Sequence, residues 1–177
     1  GRGDEETVVK VELLMKQAGI DTDIRRVAAA ANAVAAETGH PGAAIELPDG
    51  TVVTGKTSSL LGASSAALLN ALKQLGGIRD NVHLISPIII EPIQDLKVNH
   101  LGNNNPRLHM DETLIALAMA AATNPTAELA MKQLEKLKGC EAHSSVILSQ
   151  VDDSVYKKLG MNLTCEPQYQ TKKLYHK

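Results

Sequence analysis

The sequence predicts an α/β fold in which a mixed sheet with a hairpin at its edge is flanked by helices. Three observations carry that expectation. Apolar residues recur at helical spacing in several segments, as with Leu61, Leu68, Leu72 and Leu75. The stretch "GAAIELPDGTVVTG" sets two short β-prone runs on either side of Pro48-Asp49-Gly50, where Pro fixes φ and Gly supplies a positive one. Helical and strand-like runs then alternate towards the C-terminus, a pattern that calls for layered packing.

The elements follow in order. Acids ahead of "TVVKVELLMKQA" and Gly19 after it predict a first helix within residues 1–22, read as the end of an upstream region that is missing here. A second helix is expected from about Asp23, with Ile24, Val27, Ala31 and Val34 on one stripe and Gly39 as its left-handed stop. The hairpin comes next, then a helix with Ser or Thr as its cap. "NVHLISPIIIEPI" reads as one or two strands because of its β-branched run, interrupted by Pro87 and closed by Pro92. A polar, Asn-rich connection leads to a helix from Asp111, and Asn124-Pro125 restarts another that runs to Gly139, with Asn as cap and Pro at its first position. "AHSSVILS" is a strand, "DDSVYKKLG" a helix and "MNLTCEP" a last strand. The organisation is thus an α/β domain over 23–167 and a polar tail over 168–177.

Residues 50–57, "GTVVTGKT", match the phosphate-loop pattern at every required position. The first Gly, however, completes the turn after Pro48, and β-branched residues fill what should be a flexible loop. The hairpin reading therefore displaces a nucleotide loop. Lys56 and Thr57 keep a smaller role as candidate anion contacts before a helix start.

Composition narrows the partners. A net charge of −2 provides no basic face for nucleic acid or membrane, and the three aromatics, Tyr156, Tyr169 and Tyr175, supply no stacking platform. No apolar run is long enough to span a bilayer. Two isolated thiols, Cys140 and Cys165, make no disulfide framework and point to a reducing, cytoplasmic setting. Cys140 and His143 are three apart, which on a strand sends them to opposite faces. The Ala- and Leu-rich run "ALAMAAATNPTAELAM" suggests apolar surface beyond one sheet's needs, hence a homo-oligomer.

The segment "KVNHLGNNNPRLHMDE" concentrates Lys97, Asn99, His100, Asn103, Asn104, Asn105, Arg107, His109, Asp111 and Glu112 in front of a helix N-terminus. Cationic and amide side chains beside free N–H groups suit an anionic small molecule. The alternative is a polar loop whose Asn residues serve turns and whose Asp111 caps the helix. The candidate ligand contacts are therefore Lys56, Thr57, Lys97, Asn99, His100, Asn103, Asn104, Arg107, His109 and Asp111.

Two resemblances add to this reading. From residue 24 to 167 the order of elements resembles the cytidine-deaminase-like fold, which implies a helix and hairpin ahead of alternating helices and strands. Zinc deaminases place His or Cys with Glu on the helix after the hairpin, and Pro-Cys-x-x-Cys on the next; here those stretches read "SSLLGASSAAL" and "NNNPRLHMDE", so no metal and no cofactor are expected. At "VTGKTSSLLGASSAALLNALK", "LKVNHLGNNNPRLHMDETLIALA", "LKGCEAHSSVILSQVD" and "LGMNLTCEPQYQTKKLY" the chain resembles the C-terminal part of a bacterial family, the domain of unknown function eighteen-forty-six. That resemblance implies a C-terminal ligand-binding or oligomerisation domain of a larger protein whose N-terminal region is a further partner. Some members are described as ATP-dependent peptidases, but this chain has no HExxH and no Ser/His/Asp set readable in its sequence. An anion-binding part of an enzyme active site is the alternative function.

Overall fold

A computed structural model describes residues 4–21 and 24–169. Most of the expected C-terminal tail therefore lies outside the described residues, as does the expected start of the second helix at Asp23. Helix α1 (Glu5–Ala18) is capped by Asp4, whose carboxylate accepts from Thr7 N at 2.7 Å, and stops at Gly19 with φ of 68°. Helix α2 (Arg26–Thr38) ends at Gly39, also in the left-handed region. Its stripe is narrower than expected: Val27 and Ala31 are fully buried, whereas Ile24 lies ahead of the helix and is exposed.

Strands β1 (Gly42–Glu46) and β2 (Val52–Lys56) form the hairpin, in register from Gly42 opposite Lys56 to Glu46 opposite Val52. Its turn is the one the sequence dictates, with Gly50 at φ 82° and the Asp49 carboxylate accepting from Thr51 N at 2.9 Å. Helix α3 (Ala63–Leu75) begins after Gly62, so its cap is glycine rather than the expected hydroxyl.

The first correction concerns residues 81–93. No strand forms there; Pro87–Asp95 is helix α4, which continues into a π-helical turn over Leu96–His100. Ser86 caps it by accepting from Ile88 N, and Pro87 occupies the first turn, where its missing N–H costs nothing. The Ser-Pro pair was a helix start, and it outweighed the β-branched run behind it. The deaminase-like order expected for the sheet thus loses a strand.

Helix α5 (Met110–Ala121) starts one residue before Asp111, with His109 as N-cap. Helix α6 (Pro125–Met131) is capped by Asn124, whose Oδ1 accepts from Thr126 N at 2.9 Å, and a 3₁₀ turn over Leu134–Leu137 completes the segment. Strand β3 (Glu141–Ser144), helix α7 (Gln150–Lys158) and strand β4 (Asn162–Cys165) follow.

The sheet runs β2-β1-β3-β4, antiparallel except for the β3–β4 pair joined through α7. Alternation along β1 serves two faces: Ala43 and Ile45 enter the main core with residues of α3, α5, α6 and α7, while Ala44 meets Val27 and Ala31 of α2. The result is three layers, with α2 on one face of the sheet and α3 to α7 on the opposite face.

Two glycines let the layers approach closely. A Cβ at Gly55 would lie 2.1 Å from Ala67 N, and one at Gly42 would lie 2.4 Å from Ala31 O. The second glycine of the phosphate-loop pattern is therefore the place where α3 rests on β2.

Candidate functional site

The Asn-rich segment is drawn onto the body of the domain by residues on both sides of it. Leu108 is buried and forms a bridge with Leu61; its N–H donates to Leu60 O at 3.0 Å, and its carbonyl accepts from Ser65 Oγ at 3.1 Å. Arg107 and His109 flank this buried bridge residue, Arg107 reaching Ser58 O and His109 reaching Asp152.

The π turn presents Lys97 inwards. Lys97 is buried, and its ammonium donates to Arg107 O and to Glu112 Oε2, both at 2.7 Å. Glu112 Oε2 also accepts from His109 N at 2.8 Å, so one carboxylate ties the π turn to the first turn of α5.

The second carboxylate comes from α7. Asp152 is nearly buried; its Oδ1 accepts from Met110 N at 2.8 Å, and its Oδ2 lies 3.0 Å from both His109 Nδ1 and Ser149 Oγ. The hydrogen bond that His109 donates to Asp152 raises the His109 pKa above its ordinary value, against an opposing effect of burial. With Nδ1–H held on the carboxylate, Nε2 is the open ring nitrogen: a proton acceptor in the neutral imidazole and an N–H donor in the imidazolium that Asp152 favours. Asp152 also occupies the seat that a bare helix N-terminus offers an anion, because the N–H of Met110 already points at it.

The expected residues separate into two groups. Lys97, Arg107, His109 and Asp111 gather at the start of α5, where Asp111 Oδ1 accepts from Glu112 N at 2.8 Å. Arg107 Nε donates to Ser58 O at 2.7 Å, leaving its terminal nitrogens without a partner among the described residues. The other group lies elsewhere. Asn99 Nδ2 donates to Asp95 at 2.6 Å, and exposed His100 is 3.7 Å from the same carboxylate. Asn103 donates its N–H to Lys97 O, Asn104 is exposed, and Asn105 Oδ1 accepts from Arg107 N. Lys56 ends β2 exposed, and buried Thr57 donates its N–H to Pro41 O, extending the hairpin. A cleft of about 170 Å³ between α3 and the approach to α4, walled by Leu61, Leu69, Asn70, Lys73, His83 and Pro87, is lined by none of the expected residues.

Sequence reasoning passed over a second polar cluster, on the α2 face of the sheet. Buried His143 lies 2.7 Å from Thr164 Oγ1 through Nδ1 and 3.2 Å from Glu166 Oε1 through Nε2. Asn32 of α2 donates to the same Glu166 oxygen at 2.8 Å, and Arg25 bridges Thr164 and Glu141. Burial lowers the His143 pKa despite Glu166. The signal was strand alternation: Ala142 faces the main core, so His143 must face α2. Cys140 packs in the main core, and burial raises its thiol pKa. Among the described residues no group of three or more His, Cys, Asp or Glu side chains is arranged to hold a metal.

Comparison with known proteins decides the lineage. The family described as "Domain of unknown function DUF1846, C-terminal" matches residues 23–175. The chain belongs to the DUF1846 family. Among curated relatives, the UPF0371 protein cu0538 of Corynebacterium urealyticum is 53% identical over 174 residues, which cover 98% of this chain and 35% of that protein. A UPF0371 protein of Streptococcus pyogenes serotype M5 is 53% identical over 176 residues, covering 99% of this chain and 36% of its own length. The chain therefore spans little more than a third of the curated DUF1846 relatives it matches, and it corresponds to their C-terminal domain. No described helix is long and apolar enough to cross a membrane.

Proposed function

We propose that this DUF1846 domain is the C-terminal binding module of a longer protein, and that it receives an anionic group at Arg107 and His109. The observation that carries the reading is the pair of anchored groups either side of buried Leu108: His109, its Nδ1 fixed by Asp152 and its Nε2 left open, and Arg107, its Nε fixed by Ser58 O and its terminal nitrogens left open. The imidazole and the guanidinium are both held before any ligand arrives, which lowers the ordering cost of binding. The other cation of the cluster, Lys97, is consumed by Glu112 and keeps the segment in place. Lys56, Thr57, Asn99, His100, Asn103 and Asn104 carry no part of this reading.

Inorganic phosphate is the probe. Titration should shift the His109 ring resonances, and Arg107→Lys, which keeps a donor for Ser58 O but loses the planar fork, should weaken binding at least tenfold. An unchanged His109 spectrum at high phosphate removes the reading. The His109–Asp152 pair also supports the enzymatic alternative: a His with its tautomer set by a carboxylate is equipped to move a proton, in an active site completed by the rest of the longer protein.

Self-association is a second reading. Most of the Ala- and Leu-rich run is spent on this chain's own core through Ala116, Leu117, Ala120, Ala127 and Ala130, leaving Met119 and Leu129 exposed, with Ile115 exposed just ahead of the run. Sedimentation equilibrium of wild type against Ile115→Lys/Met119→Lys tests whether that remainder joins two copies. A zinc-less, deaminase-like scaffold belongs to the same proposal, supported by the order α2, hairpin, α3 at the start of the domain.

A further inference from the structure

Helix α1 buries none of its residues, although Val8, Val11, Leu14, Met15 and Ala18 share one side of it; Glu5, Glu12, Lys10 and Gln17 flank that stripe, and Glu6 and Lys16 lie opposite it beside exposed Val9 and Leu13. Val8 and Leu14 are 51% and 62% exposed. The main core closes without any residue of α1. A helix of this length is marginal alone in water and is ordinarily held by a partner on its apolar side.

From this unpartnered stripe we infer that α1 is a docking helix whose occupant is the N-terminal region of the longer protein. The inference rests on the reading of the chain as a module of such a protein. Two facts choose the occupant. The family's C-terminal domain begins at residue 23, after α1, yet the relatives match 98% or 99% of this chain, so they extend across the helix. About two thirds of each relative lies outside the match, and a covalently attached region meets the helix at an effective concentration of order millimolar. A second copy has no such advantage, and two helices about 21 Å long offer each other less than the roughly 1,200 Å² of a stable interface.

Hydrogen exchange of the native longer protein, compared with that of the 177-residue chain, provides the test. In the longer protein the α1 amides should exchange slower by on the order of a hundredfold, independently of concentration. Val11→Lys/Leu14→Lys in the longer protein should restore fast exchange in α1 and leave the sheet amides unchanged. Equally fast α1 exchange in both proteins overturns the inference. Slow α1 exchange in the 177-residue chain that appears with dimerisation also overturns it, in favour of a second copy. A native gene product of only this chain's mass removes the module reading as well, a failure told apart by intact mass.

Discussion

Lys97 and Glu112 illustrate how a loop rich in charge becomes rigid. The Lys97 side chain is 5% exposed and its partner 26%, so removing the ammonium leaves a partly desolvated carboxylate and the Arg107 carbonyl each short of a donor. Lys97→Met should cost about 3 kcal/mol in urea denaturation, and adding Glu112→Leu should recover part of that loss. The two histidines bend the pH dependence in opposite directions. His109 has a folded pKa above its unfolded one, so its contribution is complete below about pH 6.5 and is lost as pH rises through the folded value. His143 has a folded pKa below its unfolded one, so stability falls as pH drops below about 6.5 towards the folded value. Their joint effect is a maximum near that pH. In Asp152→Asn the decline on the alkaline side should flatten while the acid side stays, as measured by urea midpoints across the range.

At the scale of elements, the legible features were those with local causes. Asp4, Asn124 and Gly39 act as the caps and stops their chemistry predicts, and Pro48-Asp49-Gly50 makes its turn. The misreading at 81–93 arose because β-branched residues suit a strand only when a neighbouring strand is available, whereas Ser86-Pro87 initiates a helix with no neighbour at all. The role of Gly55 was illegible for a different reason: its cause is the backbone of Ala66 and Ala67 in α3, eleven and twelve residues on, pressing on β2. Gly55→Ala should therefore cost about 3 kcal/mol or more, since backbone atoms of Ala66 and Ala67 must give way. A thermal melt that moved by only a degree would show that α3 slides to accommodate the methyl.

For the whole molecule, the division at residue 23 has a direct consequence. Because α1 buries nothing, deleting residues 1–21 should change the melting temperature of the isolated chain by less than about 2 °C. A larger drop in differential scanning calorimetry would mean that the helix stabilises the domain.

The sequence by itself determined the hairpin, most helix ends and the helices and strands outside residues 81–93, because each depends on near neighbours, and it showed that the segment before α5 concentrates polar groups. Only the tertiary structure decided which members of that segment meet. Asp152 and Ser149 arrive from α7 some forty residues away and hold His109, Glu112 captures Lys97, and Asn99 and His100 turn aside to Asp95. Burial made those choices: a charge drawn out of water must find a partner, and the partner is whatever the packed layers bring within hydrogen-bonding reach.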